Sequence, residues 1–108
     1  AFSGLKILLK TQHNSWIHLA VTGVVLAVGV MLRITAIEWC VLTLAMASVW
    51  ITETLNTAIE FLTDLVSPEF HPIAGQVKDL AAAAVLISAM GAAIVGVIVF
   101  LPRMIQLL

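Results

Sequence analysis

The segment LAAAAVLISAMGAAIVGVIVFL, residues 80–101, contains 22 residues without a charge. A helix needs about 20 apolar residues to cross the hydrocarbon core of a bilayer, so this segment predicts a membrane-spanning helix. Pro102 and Arg103 are expected to end that helix. Strands are disfavoured, because the apolar residues show no period-two alternation. The segment therefore places the chain among all-α integral membrane proteins.

The composition of the whole chain agrees with a membrane location. Of the 108 residues, 62% are hydrophobic and 10% are charged, and the mean hydropathy is +1.16. A soluble domain has about a quarter charged residues, so this chain has too few to cover a surface facing water. The net charge of −1, without any Lys/Arg cluster, excludes nucleic-acid binding through a basic surface.

The whole chain, 1–108, is expected to form one domain. A surface helix at the N terminus is followed by three spanning helices. Residues 1–14 have apolar positions at helical spacing and predict an amphipathic helix at the membrane surface. The spans are expected at 16–33, 37–66 and 78–101. The second exceeds the bilayer thickness and should emerge on one side. More basic residues fall at the end that includes the N terminus, and the positive-inside rule therefore favours a cytoplasmic N terminus.

Polar side chains form a stripe along the second span. At about 100° per residue, Glu53 and Glu60 nearly superimpose on one helix face, and Asn56 and Asp64 lie within about 60° of Glu53. The stripe is roughly 16 Å long. An unpaired carboxylate is costly in lipid, so the stripe should face the bundle interior, water or a cation.

Several uses of this stripe are open from the residues alone. Its oxygens can bind a divalent cation such as Mg²⁺, one carboxylate can act as general base toward a hydroxyl, or the stripe can form a cation or proton path. Glu60 and Asp64 can also lie above the bilayer, simply solvated. A non-catalytic assembly subunit is a further alternative, because small residues at four-residue spacing on the third span predict close helix packing: Ala84, Ser88, Ala92 and Gly96.

The loop before the third span, with Pro68 and Pro72, allows that span to begin beside the end of the second. Lys78 can then bind an anionic phosphate or extend to the membrane surface. Asp79 suits the positive end of a helix. Nearer the N terminus, His18 can be a ligand, a base or an interfacial polar group.

The sequence E-T-L-N-T-A-I-E-F-L-T-D at 53–64, followed by K-D-L-A-A-A-A-V at 78–85, resembles the signature of the small prokaryotic diacylglycerol kinase family, which includes undecaprenol kinases. The resemblance extends from Ser3 to Pro102. It implies a homotrimer with shared active sites in the bacterial cytoplasmic (inner) membrane. It also implies phosphorylation of a lipid hydroxyl, of undecaprenol or diacylglycerol, by Mg-ATP at the cytoplasmic interface.

The resemblance also implies roles for individual residues. Glu53 matches the general base, and Glu60 matches a metal ligand that bridges to the ATP phosphates. The nucleotide site is expected to include four further residues that match the family's polar positions, namely Asn56, Asp64, Lys78 and Asp79. Lipid contacts are expected from Glu53 together with Trp50 and Ala81.

The N-terminal part departs from the family pattern. Gln12 replaces an acidic residue, and Ser15-Trp16 replaces Phe-Arg. His18 aligns with the position at which the diacylglycerol-specific branch has a second metal-ligating Glu. A residue other than that Glu resembles the members similar to undecaprenol kinase. Gln12 and His18 are therefore expected at the nucleotide, with His18 also at the metal, and the lipid assignment favours a prenol. The competing cation- or proton-conducting function is disfavoured, because the acids cluster toward one end of the helix.

Overall fold

The structure, a computed structural model, describes residues 1–108 and consists of four helices. They are α1 (Phe2–Thr11), α2 (His13–Met31), α3 (Ala36–Val66) and α4 (Pro72–Gln106). The last three are long and apolar enough to cross a membrane. The predicted all-α class, with a short N-terminal helix and three spanning helices, is thus confirmed.

α4 extends beyond its expected bounds at both ends. α4 begins at Pro72, because a proline at the first helical position loses only a backbone N–H that has no helical acceptor. The imidazole Nδ1 of His71 accepts a hydrogen bond from the Ile73 amide at 3.1 Å and caps this end. Pro102 does not end α4, which continues to Gln106, because a proline this close to the terminus removes only one late backbone bond.

The bounds of α1 and α2 also differ from those expected. α1 ends at Thr11 and α2 begins at His13, because a single extended residue, Gln12, separates them. α2 ends at Met31, two residues before the expected end. Arg33 then adopts a left-handed conformation, φ 53°, that no right-handed helix can continue.

One end of the molecule is held by a group of contacts that we call the clamp, formed by Leu32, Glu38 and Arg103. Arg103 on α4 forms an ion pair with Glu38 on α3 and donates a hydrogen bond to the Leu32 carbonyl at the end of α2, at 3.4 Å. Thr35 and Glu38 form a reciprocal capping box at the start of α3. The clamp therefore joins all three long helices.

The hydrophobic core lies beside the clamp. Ile34, Leu42 and Val99 form its buried centre. Here α2 approaches α3 closely, since a Cβ atom added to Gly29 would lie 2.6 Å from the Trp39 ring. Farther from the clamp, α3 and α4 stay packed together, whereas α2 separates from them and leaves cavities.

Two small residues of the predicted packing face of α4, Ala92 and Gly96, border open space within one chain. A Cβ atom added to Gly96 would meet no atom within 4 Å. Ala92 and Gly96 line a cavity between α2, α3 and α4.

Candidate functional site

The polar stripe of α3 forms one wall of a cavity of about 420 Å³, which we call the carboxylate cavity. Three of its residues, Glu53, Asn56 and Glu60, line this cavity together. Gln12, Asn14 and His18 supply the rest of the polar lining on the side of the α1–α2 connection, while α4 contributes apolar side chains. Five residues that the sequence predicted for the site therefore surround one space.

Burial falls steadily along the stripe. Glu53 is 2% exposed and Asn56 is 8% exposed. Glu60 is half-buried, and the side chain of Asp64 is 63% exposed. The stripe thus leads from the interior of the bundle to its surface, with the most enclosed carboxylate at the inner end.

Each buried polar group of the stripe has a defined neighbour. The imidazole Nε2 of His18 lies 3.4 Å from Glu53 Oε2. Asn56 Nδ2 donates a hydrogen bond to Glu60 Oε1 at 3.1 Å. Asn56 Oδ1, in contrast, is buried without any hydrogen-bond partner. A buried oxygen that lacks a partner is costly, which indicates that a ligand or solvent species completes it.

This donor set fits a hard cation. Mg²⁺ takes oxygen ligands and keeps open positions for water and phosphate. The residues that line the cavity include three whose side chains carry oxygen atoms and lie near one another in the site, namely Glu60, Asn56 and Gln12. No cluster of three or more His, Cys, Asp or Glu side chains is present in the single chain. A cation here would accordingly be held by few protein ligands.

Asp64 and Lys78 lie outside the carboxylate cavity. Lys78 Nζ is 2.6 Å from Asp64 Oδ1, which confirms that the start of α4 folds back beside the end of α3. One turn of helix, about 6 Å, separates Asp64 from Glu60 along α3. Asp79 is exposed and does not line the carboxylate cavity.

The two predicted lipid contacts lie in different surroundings. Trp50 is half-buried and lines a second space of about 380 Å³, the apolar cavity, which shares Ile17, His18 and Ala89 with the carboxylate cavity. Ala81 is buried and lines neither cavity, whereas its neighbour Ala82 lines the carboxylate cavity.

Sequence reasoning missed three residues of this region. Asn14 lines the carboxylate cavity. Ser15 is fully buried, and its hydroxyl lies 2.6 Å from the Gln12 carbonyl, where it fixes the α1–α2 connection. Thr22 accepts a hydrogen bond from Trp50 Nε1 at 3.0 Å. The polar residues between two apolar helices signalled the first two, but nothing in the sequence pairs Thr22 with Trp50.

Comparisons with known proteins identify the family of this chain. The family model for prokaryotic diacylglycerol kinase matches residues 1–100. The chain is 37% identical to an undecaprenol kinase of Bacillus subtilis over 88% of its own length and 77% of the relative's. It is 38% identical to a diacylglycerol kinase of Synechocystis over its full length and 62% of the relative's. A diacylglycerol kinase of Escherichia coli is 36% identical over 79% of this chain and 57% of the relative's. The chain belongs to the prokaryotic diacylglycerol kinase family.

Proposed function

We propose that this chain is a lipid kinase that transfers the γ-phosphoryl group of ATP to the hydroxyl of a membrane lipid. The observation that carries the proposal is the position of Glu53, a buried carboxylate in the wall of the carboxylate cavity, close to where that cavity meets the apolar one. A lipid hydroxyl can reach Glu53 from the apolar side, and ATP can reach it from the polar side. Family membership supports the same activity.

In this mechanism Glu53 acts as general base. It accepts the proton of the lipid hydroxyl as the oxygen attacks the γ-phosphorus, while the bond from that phosphorus to the bridging oxygen breaks and ADP leaves. His18 lies against the carboxylate and limits its orientations. A positioned base of this kind contributes about 10²- to 10⁴-fold to a rate.

Glu60, Asn56 and Gln12 are the residues that would hold Mg²⁺ with its ATP. When bound, the ion neutralises negative charge on the phosphates. Their oxygens suit it better than the His18 nitrogen, because Mg²⁺ prefers oxygen ligands and His18 already contacts Glu53. We therefore place His18 with the base rather than with the metal.

The substrate that we propose is a prenol such as undecaprenol, with diacylglycerol as the alternative. The apolar cavity between α2, α3 and α4 is lined mainly by hydrophobic side chains, as suits the hydrocarbon part of either lipid. Relatives named undecaprenol kinase and diacylglycerol kinase are almost equally identical to this chain, at 37% and 38%. The preference for a prenol therefore rests on the resemblance of His18 to the undecaprenol kinase-like branch.

We further propose a homotrimer with shared active sites at the cytoplasmic face of the bacterial inner membrane. Asp64, Lys78 and Asp79 lie beyond the cavity of their own chain, at the end of α3 and the start of α4. Sharing between chains would bring these residues to a neighbour's nucleotide. Cross-linking in membranes, together with the mass of the purified complex, tests the trimer.

A side-by-side assay tests the activity. Purified protein in mixed micelles is supplied with radiolabelled Mg-ATP and either undecaprenol or diacylglycerol, and labelled lipid is extracted. Preferential labelling of undecaprenol is expected. If folded protein labels neither lipid, the kinase proposal fails. ATP-independent ion flux into liposomes would instead support a conducting protein.

A further inference from the structure

Four side chains form a polar junction between α2 and α3 at the boundary of the two cavities. His18 and Thr22 lie one turn apart on α2, and Trp50 and Glu53 lie three residues apart on α3. Trp50 Nε1 donates to Thr22 Oγ1 at 3.0 Å. One turn away, His18 Nε2 lies 3.4 Å from Glu53 Oε2.

The two contacts of this junction are linked to each other. The Thr22 hydroxyl accepts from Trp50 and donates to the His18 carbonyl at 2.7 Å, so its donor and one acceptor site are both used. The Trp50 ring also meets the His18 ring edge-to-face, with centroids 6.1 Å apart and planes at 64°. Trp50 thus holds both the backbone and the side chain of the α2 turn that carries His18.

Toward α1, the first turn of α2 is held by hydrogen bonds from Ser15 and Trp16 to the Leu8 and Leu9 carbonyls. The carboxylate cavity borders the junction on one side and the apolar cavity on the other, and His18 lines both. The close packing of α2 on α3 lies farther along, where Gly29 meets Trp39. The junction is therefore the polar contact between α2 and α3 at the height of Glu53.

We propose that Trp50 and Thr22 are positioning residues for Glu53. By fixing α2 against α3, they keep His18 in contact with the carboxylate and keep that carboxylate aimed at the incoming hydroxyl. This role rests on the proposed function, since it is exerted on the general base. A displacement of about 1 Å in a reacting group can cost about 10²-fold in rate, so a single hydrogen bond at this place has a measurable effect.

The test uses two variants that remove the same bond from opposite sides. Thr22→Val keeps the shape but loses the acceptor, and Trp50→Phe keeps an aromatic ring but loses the donor. Each should lower kcat about fivefold, the effect of one hydrogen bond, while the KM for Mg-ATP stays unchanged. The double variant should be no slower than the slower single variant, because both substitutions break one interaction. Thr22→Ser, which keeps the hydroxyl, should restore most of kcat.

Trp16→Phe is the matched control. Trp16 also donates through Nε1, but to the Leu9 carbonyl on α1, and it is 55% exposed and does not line the carboxylate cavity. This control should keep the kcat of the unchanged protein. If Thr22→Val keeps that kcat too, or if the two losses simply add, the positioning role is wrong.

A second readout does not depend on kinase activity. In protein that carries isotope-labelled histidine, the ring resonances of His18, assigned with His18→Gln, should move in Thr22→Val and stay in place in Trp16→Phe. Unmoved resonances would overturn the inference even in a fully active kinase. Loss of lipid labelling in the unchanged protein, with the resonances still responding to Thr22→Val, would overturn the proposed function and leave the junction intact.

Discussion

Replacing Glu53 by Gln tests its role as general base, because the substitution should abolish proton transfer while changing the folding stability only slightly. The substitution keeps the side-chain shape at a position that is only 2% exposed, and the amide oxygen can still face His18. The expected loss of folding stability is therefore about 1 kcal/mol, the net value of one interaction. Loss of the general base should lower kcat by about 10²- to 10⁴-fold, which raises the barrier by about 3–5 kcal/mol.

The small loss of folding stability and the large loss of kcat can be told apart in one assay. A domain with about 5–15 kcal/mol of stability remains folded after losing about 1 kcal/mol, so unfolding cannot imitate the loss of activity. Initial rates of lipid phosphorylation and binding of Mg-ATP are measured on the same preparation, with Glu69→Gln, an exposed loop acid, as the control. Turnover by Glu53→Gln within tenfold of the unchanged protein, with nucleotide binding intact, would refute the assignment of the base.

Three further predictions concern other parts of the molecule. Glu60→Gln should raise the Mg²⁺ concentration needed for half-maximal rate by about tenfold or more, because it removes the one charged oxygen donor proposed for the ion; an unchanged Mg²⁺ titration contradicts that role. Gly29→Ala should destabilise the fold by about 1–3 kcal/mol, because the new methyl group would lie 2.6 Å from the Trp39 ring. Gly23→Ala on the same helix is the control, since its methyl group meets open space and should not lower Tm. Lys78→Met should leave Tm nearly unchanged, because an exposed ion pair contributes about 1 kcal/mol or less to stability. The same substitution should raise the KM for ATP, and an unchanged KM would contradict a place for Lys78 in the nucleotide site.

The fold could be predicted largely because lipid leaves a chain few options. An uncharged segment such as 80–101 must be helical in a bilayer, since no water is present to pair its backbone. The ends of helices were harder to place. Proline signals a boundary on average, but Pro72 begins a helix and Pro102 lies inside one. Which outcome occurs depends on position relative to the terminus and on neighbours that only the tertiary structure supplies.

Helical geometry alone predicted the site only where its residues share one helix, whereas Gln12 and His18 were expected from the family resemblance. Helical geometry brings Glu53, Asn56 and Glu60 together, and the structure places all three on one cavity. Contacts between helices could not be derived in this way, because a one-residue rotation of α2 would change which side chain faces Trp50. The partner of Trp50, Thr22, therefore emerged only from the structure.

The clamp has a mechanical consequence for α2. The hydrogen bond from Arg103 secures that helix at Leu32, so a tilt of α2 would pivot there. The 19 residues from His13 to Met31 form a helix about 28 Å long. A tilt of one degree about Leu32 would then move the opposite end of α2 by about 0.5 Å. Since His18 lies about 21 Å from Leu32, a tilt of about three degrees would move it by about 1 Å relative to Glu53, while the residues of the clamp would stay nearly in place.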